Sequence, residues 1–389
     1  MKRSPYELAC AVWSCISEPG DEFAGCLRQA LGVEQALQSI SNQSVDEVLL
    51  RLGQKGWLDA ATQRFGDMRQ VINDSRERYL PRFTKNNHEQ GLALLERSGG
   101  WLVTPEDEDW PAMLADLGWG APAALWGIGN RNALAKLARS VSIVGSRGAS
   151  AYGEWVTFDF VAELVSRGYS VVSGGAYGID GIAHRATLRV NGTTIAVMAG
   201  GIDRLYPAGH QSMFDKICET GAIVTELAPG SSPTKWRFLQ RNRLIAALGQ
   251  VTLIIEAGSR SGSINTANHA TSLGRPIAAI PGPITSSSSA GTNRLIADSI
   301  AQLVCNPADV AALAGDSDYL AMKPMADELG DLEKRALDAV GLKPTTAAEI
   351  AKRAGLTAQE LGIAMGQLLL IGLVSQSEGG YFKPKQTTI

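Results

Sequence analysis

The chain has 389 residues, with 36 Lys plus Arg against 39 Asp plus Glu and a formal net charge of −3. That length suits two or three domains with a substantial core, and the acidic balance excludes a protein that coats duplex DNA through bulk positive charge, so any nucleic-acid site must be a local patch. The five cysteines (Cys10, Cys15, Cys26, Cys218, Cys305) form no CxxC pair, which points to a reducing cytoplasm rather than to disulfides or zinc; with no run near the roughly 18 apolar residues of a membrane span, neither membrane, metal nor cofactor is expected.

Residues 1–90 carry helix-period apolar positions such as Val45, Val48, Leu49 and Leu52, which predict a helical N-terminal domain without evident chemistry. Residues 91–140 are rich in Trp, Pro and Gly and read as a connecting segment that docks on the next domain, with Trp101, Trp110, Trp119 and Trp126 as packing anchors. From Val141 short β-branched runs alternate with helical patterns, the mark of βαβ units and a mostly parallel sheet. The expected strands are 141–144, 170–173, 194–199, 222–226, 251–257 and 276–281, within a core spanning 141–310. A linker is expected over 311–330, and 331–389 has the helix, helix, helix, hairpin outline of a winged-helix-like domain. Its third helical stretch holds Glu360 and no Lys or Arg, which argues against major-groove reading.

Most of the core strands run into glycine, and ligands of open α/β sheets bind outside the carboxyl ends of the strands. The first exit, Gly145, Ser146, Arg147 and on to Gly148, lets backbone approach an anion at a helix start. It is not the G-x-G-x-x-G of a dinucleotide site. The second exit, Ser173, Gly174 and Gly175, leads to Tyr177, Asp180 and His184; Asp180 and His184 share a helical face, as an acid/base pair would, or Asp180 simply favours the helix dipole. Asp203 and Tyr206 lie in the third exit and shape the edge. The fifth, Gly258 through Ser261, Gly262 and Ser263, is another phosphate nest, with Arg260 beside it.

Between Lys235 and Arg243 the chain reads KWRFLQRNR, four cations and two aromatics in nine residues without an acid. Such a patch neutralises phosphates and stacks unpaired bases; alternatively it is a solvated helix start whose arginines pair with neighbouring carboxylates. Over Val141–Val304 the count is 13 Lys plus Arg against 10 Asp plus Glu, an excess of three positive charges.

The ordered run GSRGASAYG, SGGAYGIDGIAH, IAVMAGGIDRLYP, RNRLIAALG, EAGSRSGSINTA, IPGP and AGTNRLI resembles the DprA (Smf) family of DNA-processing proteins over about 165 residues. The resemblance implies an extended Rossmann-like, doubly wound core that binds single-stranded DNA, dimerises, protects incoming DNA and loads the RecA recombinase during natural transformation, as a mediator rather than an enzyme. It implies DNA contacts at Gly145, Ser146, Arg147, Ser173, Gly174, Gly175, Phe238, Arg241, Asn242 and Arg243. Leu239 stands where the family's F-P-x-R-N-R motif has proline. Charge adds Lys235, Arg237 and Arg275, and the glycine-serine nest adds Ser261, Gly262 and Ser263. Replacing Arg241 and Arg243 together is expected to weaken binding without unfolding. Two other readings stand beside this one. A nucleoside-monophosphate-cleaving enzyme of the lysine-decarboxylase-like group needs a catalytic glutamate in P-G-G-x-G-T-x-x-E, where this chain reads SRSGSINTANHA; a pure scaffold would work through its winged helix.

Overall fold

The computed structural model describes residues 3–83, 87–316, 329–370, 373–377 and 379–384. The chain divides into two units, Met1–Asp316 and Ser317–Ile389.

The first unit opens with helices α1 (Pro5–Ile16), α2 (Glu22–Leu31), α3 (Val33–Asn42), α4 (Val45–Gln54), α5 (Leu58–Phe65), α6 (Met68–Phe83) and α7 (Asn87–Arg97). Ser4 and Ser44 start α1 and α4 through reciprocal capping boxes with Glu7 and Glu47, which satisfy amides that have no partner inside the helix. Trp13, Leu27, Leu52, Ile72 and Tyr79 are buried between these helices. Trp119 joins them from further along the chain, stacking on Phe65 with centroids 5.4 Å apart.

Helix α7 crosses the boundary expected at residue 90, and the segment expected to connect and dock instead supplies strands β1 (Trp101–Val103) and β2 (Leu125–Gly129) to the sheet. Trp126 explains the difference. Its side chain is fully buried, and backbone carried that deep needs hydrogen-bond partners, which the antiparallel pairing of β2 with the next strands provides.

The remaining strands and helices alternate: β3 (Ser140–Val144), α8 (Ala151–Ser166), β4 (Ser170–Ser173), α9 (Ile179–Arg189), β5 (Thr194–Val197), α10 (Gln211–Thr220), β6 (Ala222–Thr225), α11 (Lys235–Leu248), β7 (Val251–Ile254), α12 (Gly262–Ser272), β8 (Ile277–Ala279), α13 (Ala290–Ala297), β9 (Gln302–Leu303) and α14 (Pro307–Leu313). The six expected core strands are β3 to β8. Among the described residues the sheet has nine strands in the order β1-β2-β6-β5-β4-β3-β7-β8-β9, parallel from β6 to β9. Successive residues feed opposite faces, as a period of two requires: Val144, Val172 and Ile254 enter one core, and Ile143, Val171 and Leu253 the other. Winding moves outward from β3 to β6, then α11 carries the chain back to β7 on the other side of β3. The switch point, where a doubly wound sheet opens a crevice, therefore lies between β3 and β7.

Of the linker expected over 311–330, residues 317–328 lie outside the described residues, and 307–313 form α14. The second unit holds α15 (Asp331–Ala339), α16 (Ala347–Ala354), α17 (Ala358–Leu370) and the hairpin β10 (Ser375–Ser377) and β11 (Gly380–Phe382) around Ile350, Leu361, Met365 and Leu368. Glu360 accepts from the Thr357 amide at 2.8 Å, so it fastens the start of its own helix.

Gly25 and Gly53 give a matched test of packing. A Cβ on Gly25 would lie 1.7 Å from the Trp119 carbonyl oxygen, whereas one on Gly53 would meet nothing nearer than Leu58 at 3.8 Å. Gly25→Ala is expected to lower stability by about 1–3 kcal/mol through overpacking, and Gly53→Ala to raise it by about 0.5–1 kcal/mol through helix propensity. Urea denaturation midpoints of the two variants check the pair.

Candidate functional site

A cavity of about 720 Å³ opens at the carboxyl ends of β3 and β7. Its walls are the turn Gly145–Gly148 after β3, Ala176 and Asp180 after β4, the first two turns of α11, the loop and helix start from Gly258 to Ser263 after β7, and Ser287 and Ser288 after β8. Sequence distance is no guide to this grouping; it follows from winding about the switch point.

Helix α11 starts at Lys235 because Thr234 caps it, its hydroxyl accepting from the Arg237 amide at 3.2 Å. Phe238 thus sits in the first helical turn, and Leu239 sits within the helix rather than in a loop. The Phe238 ring faces two guanidinium groups, Arg147 at 5.7 Å and Arg241 at 5.8 Å from its centroid, with the Tyr206 ring edge-on at 5.7 Å. Arg147 and Arg260 are exposed and form no ion pair among the described residues. Ser261 caps α12 by accepting from the Ser263 amide at 3.3 Å. Asn242 ties the two helices together through Asn265 at 3.1 Å.

Arg241 is almost wholly buried. It donates to the carbonyls of Gly174, at 2.7 Å, and Val197, stapling the exits of β4 and β5. Gly174 is required there: a Cβ would lie 2.6 Å from the guanidinium. Asp180, also buried, lies beside the backbone amides of Ala176, Gly174 and Gly145, whose positive ends favour its ionised form. Burial lowers Arg241 to about 10, against the upward pull of Asp180, so it remains a cation at neutral pH. Burial likewise pushes the Asp180 carboxyl up, opposed by Arg241 and the three amides.

The residues named from sequence therefore divide. Gly145, Ser146, Arg147, Phe238, Arg241, Asn242, Ser261, Gly262 and Ser263 line the cavity. Ser173, Gly174 and Gly175 lie behind it; the Ser173 hydroxyl is spent on the Ile143 carbonyl at 2.6 Å. Lys235 and Arg237 lie off its wall, and Arg237 pairs with Glu18 of the helical region at 3.0 Å. Arg243 is turned the other way and locked against Glu226, both side chains below a tenth exposed. Arg275 pairs with Asp116 at 2.8 Å, away from the cavity. For Arg237 and Arg243 the carboxylate-pairing alternative describes the geometry, and Arg275, expected at a phosphate, is likewise held by a carboxylate distant in sequence. Sequence reasoning named Gly148 with its turn but left Ser287 and Ser288 unnamed, since a serine run after a strand carries no signal of its own.

His184 and Asp180 do not act as a pair facing this cavity. The Thr194 hydroxyl gives its proton to the Val171 carbonyl, so it accepts from His184 Nδ1 at 2.7 Å, and Nε2 is left without a partner among the described residues. Burial, reinforced by His210, Arg241 and Arg185, lowers His184 to about 3. Among the described residues no cluster of three His, Cys, Asp or Glu is placed to hold a metal ion, and no helix is long and apolar enough to cross a membrane.

Residues 101–315 match the model of the DNA recombination-mediator protein A family, and 321–380 match the DprA winged helix domain. A Mycobacterium tuberculosis protein carrying the name DNA processing protein DprA is 44% identical over 305 residues, 74% of this chain and 78% of that one. This chain belongs to the DprA family. The Smf protein of Escherichia coli is 33% identical over 317 residues, covering 79% of this chain and 83% of that one. The X-ray structure of DNA processing protein A from Streptococcus pneumoniae superposes with a TM-score of 0.60 at 28% identity, covering 80% of this chain and 98% of that one. The extended, doubly wound sheet and the C-terminal winged helix thus match their family, as the sequence resemblance implied.

Two stability measurements follow from this DprA site. Arg243→Ala leaves the buried Glu226 carboxylate unpaired and is expected to cost about 3–5 kcal/mol, seen as a lowered urea midpoint; this revises the expectation that replacing Arg241 and Arg243 together weakens binding without unfolding. His184 binds a proton more readily unfolded than folded, so stability falls as pH drops from about 6.5 towards 3, by up to about 1.4 kcal/mol per pH unit. His184→Gln should flatten that part of the stability profile relative to the parent chain.

Proposed function

We propose that this chain binds single-stranded DNA and acts as a recombination mediator without catalysing a reaction, protecting incoming strands and passing them to a RecA recombinase during natural transformation. One observation carries the binding reading: at an open switch-point cavity, the unpaired guanidinium of Arg147 lies over the ring of Phe238. A cation and an aromatic face together suit a phosphate and an unstacked base, while a duplex keeps its bases enclosed. Arg260 and the start of α12 add positive charge on the opposite wall. The family's description as recombination mediators supports the second half of the reading. A homodimer in the cytoplasm is the assembly and location we assign to it.

The absence of an available acid supports the non-catalytic part. Asp180 is the carboxylate on the cavity wall among the described residues, and it is buried beside the Arg241 guanidinium. A nucleoside-cleaving enzyme would need a carboxylate free to meet its substrate.

Fluorescence anisotropy with a twenty-nucleotide oligothymidine and a duplex of equal length tests the binding reading. The parent chain should prefer the single strand, with affinity falling steeply as salt rises. Arg147→Ala should weaken binding about tenfold and lower the salt slope by about 0.7, the value for one phosphate contact on a single strand. Equal affinity for both DNA forms, or an unchanged Arg147→Ala variant, would overturn it. Adding a homologous RecA to a strand coated with single-strand binding protein tests mediation: faster filament growth with this chain is the expected result.

A further inference from the structure

We infer that the base-binding surface continues past the cavity as a second, aromatic subsite built by Tyr177 and Tyr206 on the exits of β4 and β5. The inference rests on the single-strand reading above and extends it by at least one nucleotide.

Both rings are about half exposed, at 50% for Tyr177 and 51% for Tyr206. Large aromatic side chains left open on two neighbouring loops cost apolar hydration, so each poses the question of what covers it. Tyr206 adjoins the cavity directly, its ring meeting Phe238 at 5.7 Å and 64°. Tyr177 follows the cavity-lining Ala176, packs edge-on against His210 at 4.7 Å, and places its hydroxyl against Gly209 in the loop that carries Tyr206. The Tyr177 ring is therefore held by the loop that carries Tyr206, and the Tyr206 ring by Phe238 at the cavity, so the exits of β4 and β5 present both rings beside it.

Charge accompanies them. Arg185 is exposed on α9 beside Gly181 and His210, without an ion pair among the described residues. Arg204, 57% exposed in the Tyr206 loop, lies 3.6 Å from Asp203 and donates to the Ser232 hydroxyl at 3.1 Å. Exposed rings flanked by cations are what a nucleotide chain requires: stacking surfaces for bases and partners for the phosphates between them. A peptide ligand would lack the regular anionic spacing that both arginines would meet.

The strand would thus lie across the sheet's carboxyl edge, from the nest after β7, over Phe238, to Tyr206 and Tyr177. Base–aromatic stacking contributes about 1–3 kcal/mol per base, and about 1.4 kcal/mol is tenfold in affinity.

The test measures anisotropy with oligothymidine for the parent, Tyr177→Ala, Tyr177→Phe, Tyr206→Ala, Tyr206→Phe and Arg185→Ala, with thermal melting to confirm folding. Each Ala variant should bind about tenfold more weakly, each Phe variant like the parent, and Arg185→Ala should lower the salt slope by about 0.7. Tyr206 touches Phe238, so Tyr177, which does not, decides the matter if the Tyr206 variants are destabilised. Ala variants that match the parent, or Phe variants as weak as the Ala ones, would overturn the stacking subsite. If the parent itself fails to bind while remaining folded, the single-strand reading has failed rather than this extension of it.

Discussion

The site depends on a cation taken out of water. Arg241 leaves α11, passes beneath the cavity and donates to the carbonyls of Gly174 and Val197 at two neighbouring strand exits. Burying an unpaired guanidinium costs several kcal/mol, and here the cost is offset by two carbonyl dipoles and by the nearby charge of Asp180. Arg241 ties the exits of β4 and β5 together through Gly174 and Val197, and Asp180 supplies negative charge beside it. The floor is preorganised before any ligand arrives, so binding would not have to order it.

That arrangement separates the basic residues by task. Arg241 and Arg243 belong to one short motif, two positions apart on a helix, and so point to different sides. Arg243 neutralises Glu226 at the end of β6, and Arg237 meets Glu18 from the α1–α2 loop, which also pairs with Arg82. Arg243 thus ties α11 to the sheet, and Arg237 ties it to the helical region. Arg147, Arg185, Lys235 and Arg260 are left exposed and unpaired among the described residues. A motif dense in arginine thus yields mostly internal structure, and the free cations on the cavity wall, Arg147 and Arg260, come from turns that hold one cation each.

Much of the core was legible in the sequence because its signals are local. Val141, Ile143, Val171 and their neighbours are β-branched or aliphatic runs that end in glycine, and each became a strand followed by a turn. The winding about β3 follows from right-handed crossovers once the strands are known. Strands β1 and β2 were not legible: three and five residues, rich in Trp and Gly, offer no alternation. Partners separated by more than a hundred residues were equally hidden. Glu18 with Arg237 and Asp116 with Arg275 have no expression in local pattern, and those pairs decided which cations could not be free.

The net charge of −3 now has a physical reading. Beyond a Debye length of about 10 Å, at moderate salt, the molecule's many carboxylates cancel its arginines. Within that distance of the cavity, Arg147, Arg260 and buried Arg241 act together, and Asp180 is the acid on the wall among the described residues. A polyanion would therefore feel attraction only after reaching the carboxyl edge of the sheet. Such a short-range field favours a flexible chain, which can follow a curved rim and offer one phosphate at a time, over a stiff duplex that must present its whole charged face at once. On the proposed single-strand reading, selection would then begin with electrostatics, before any base meets a ring.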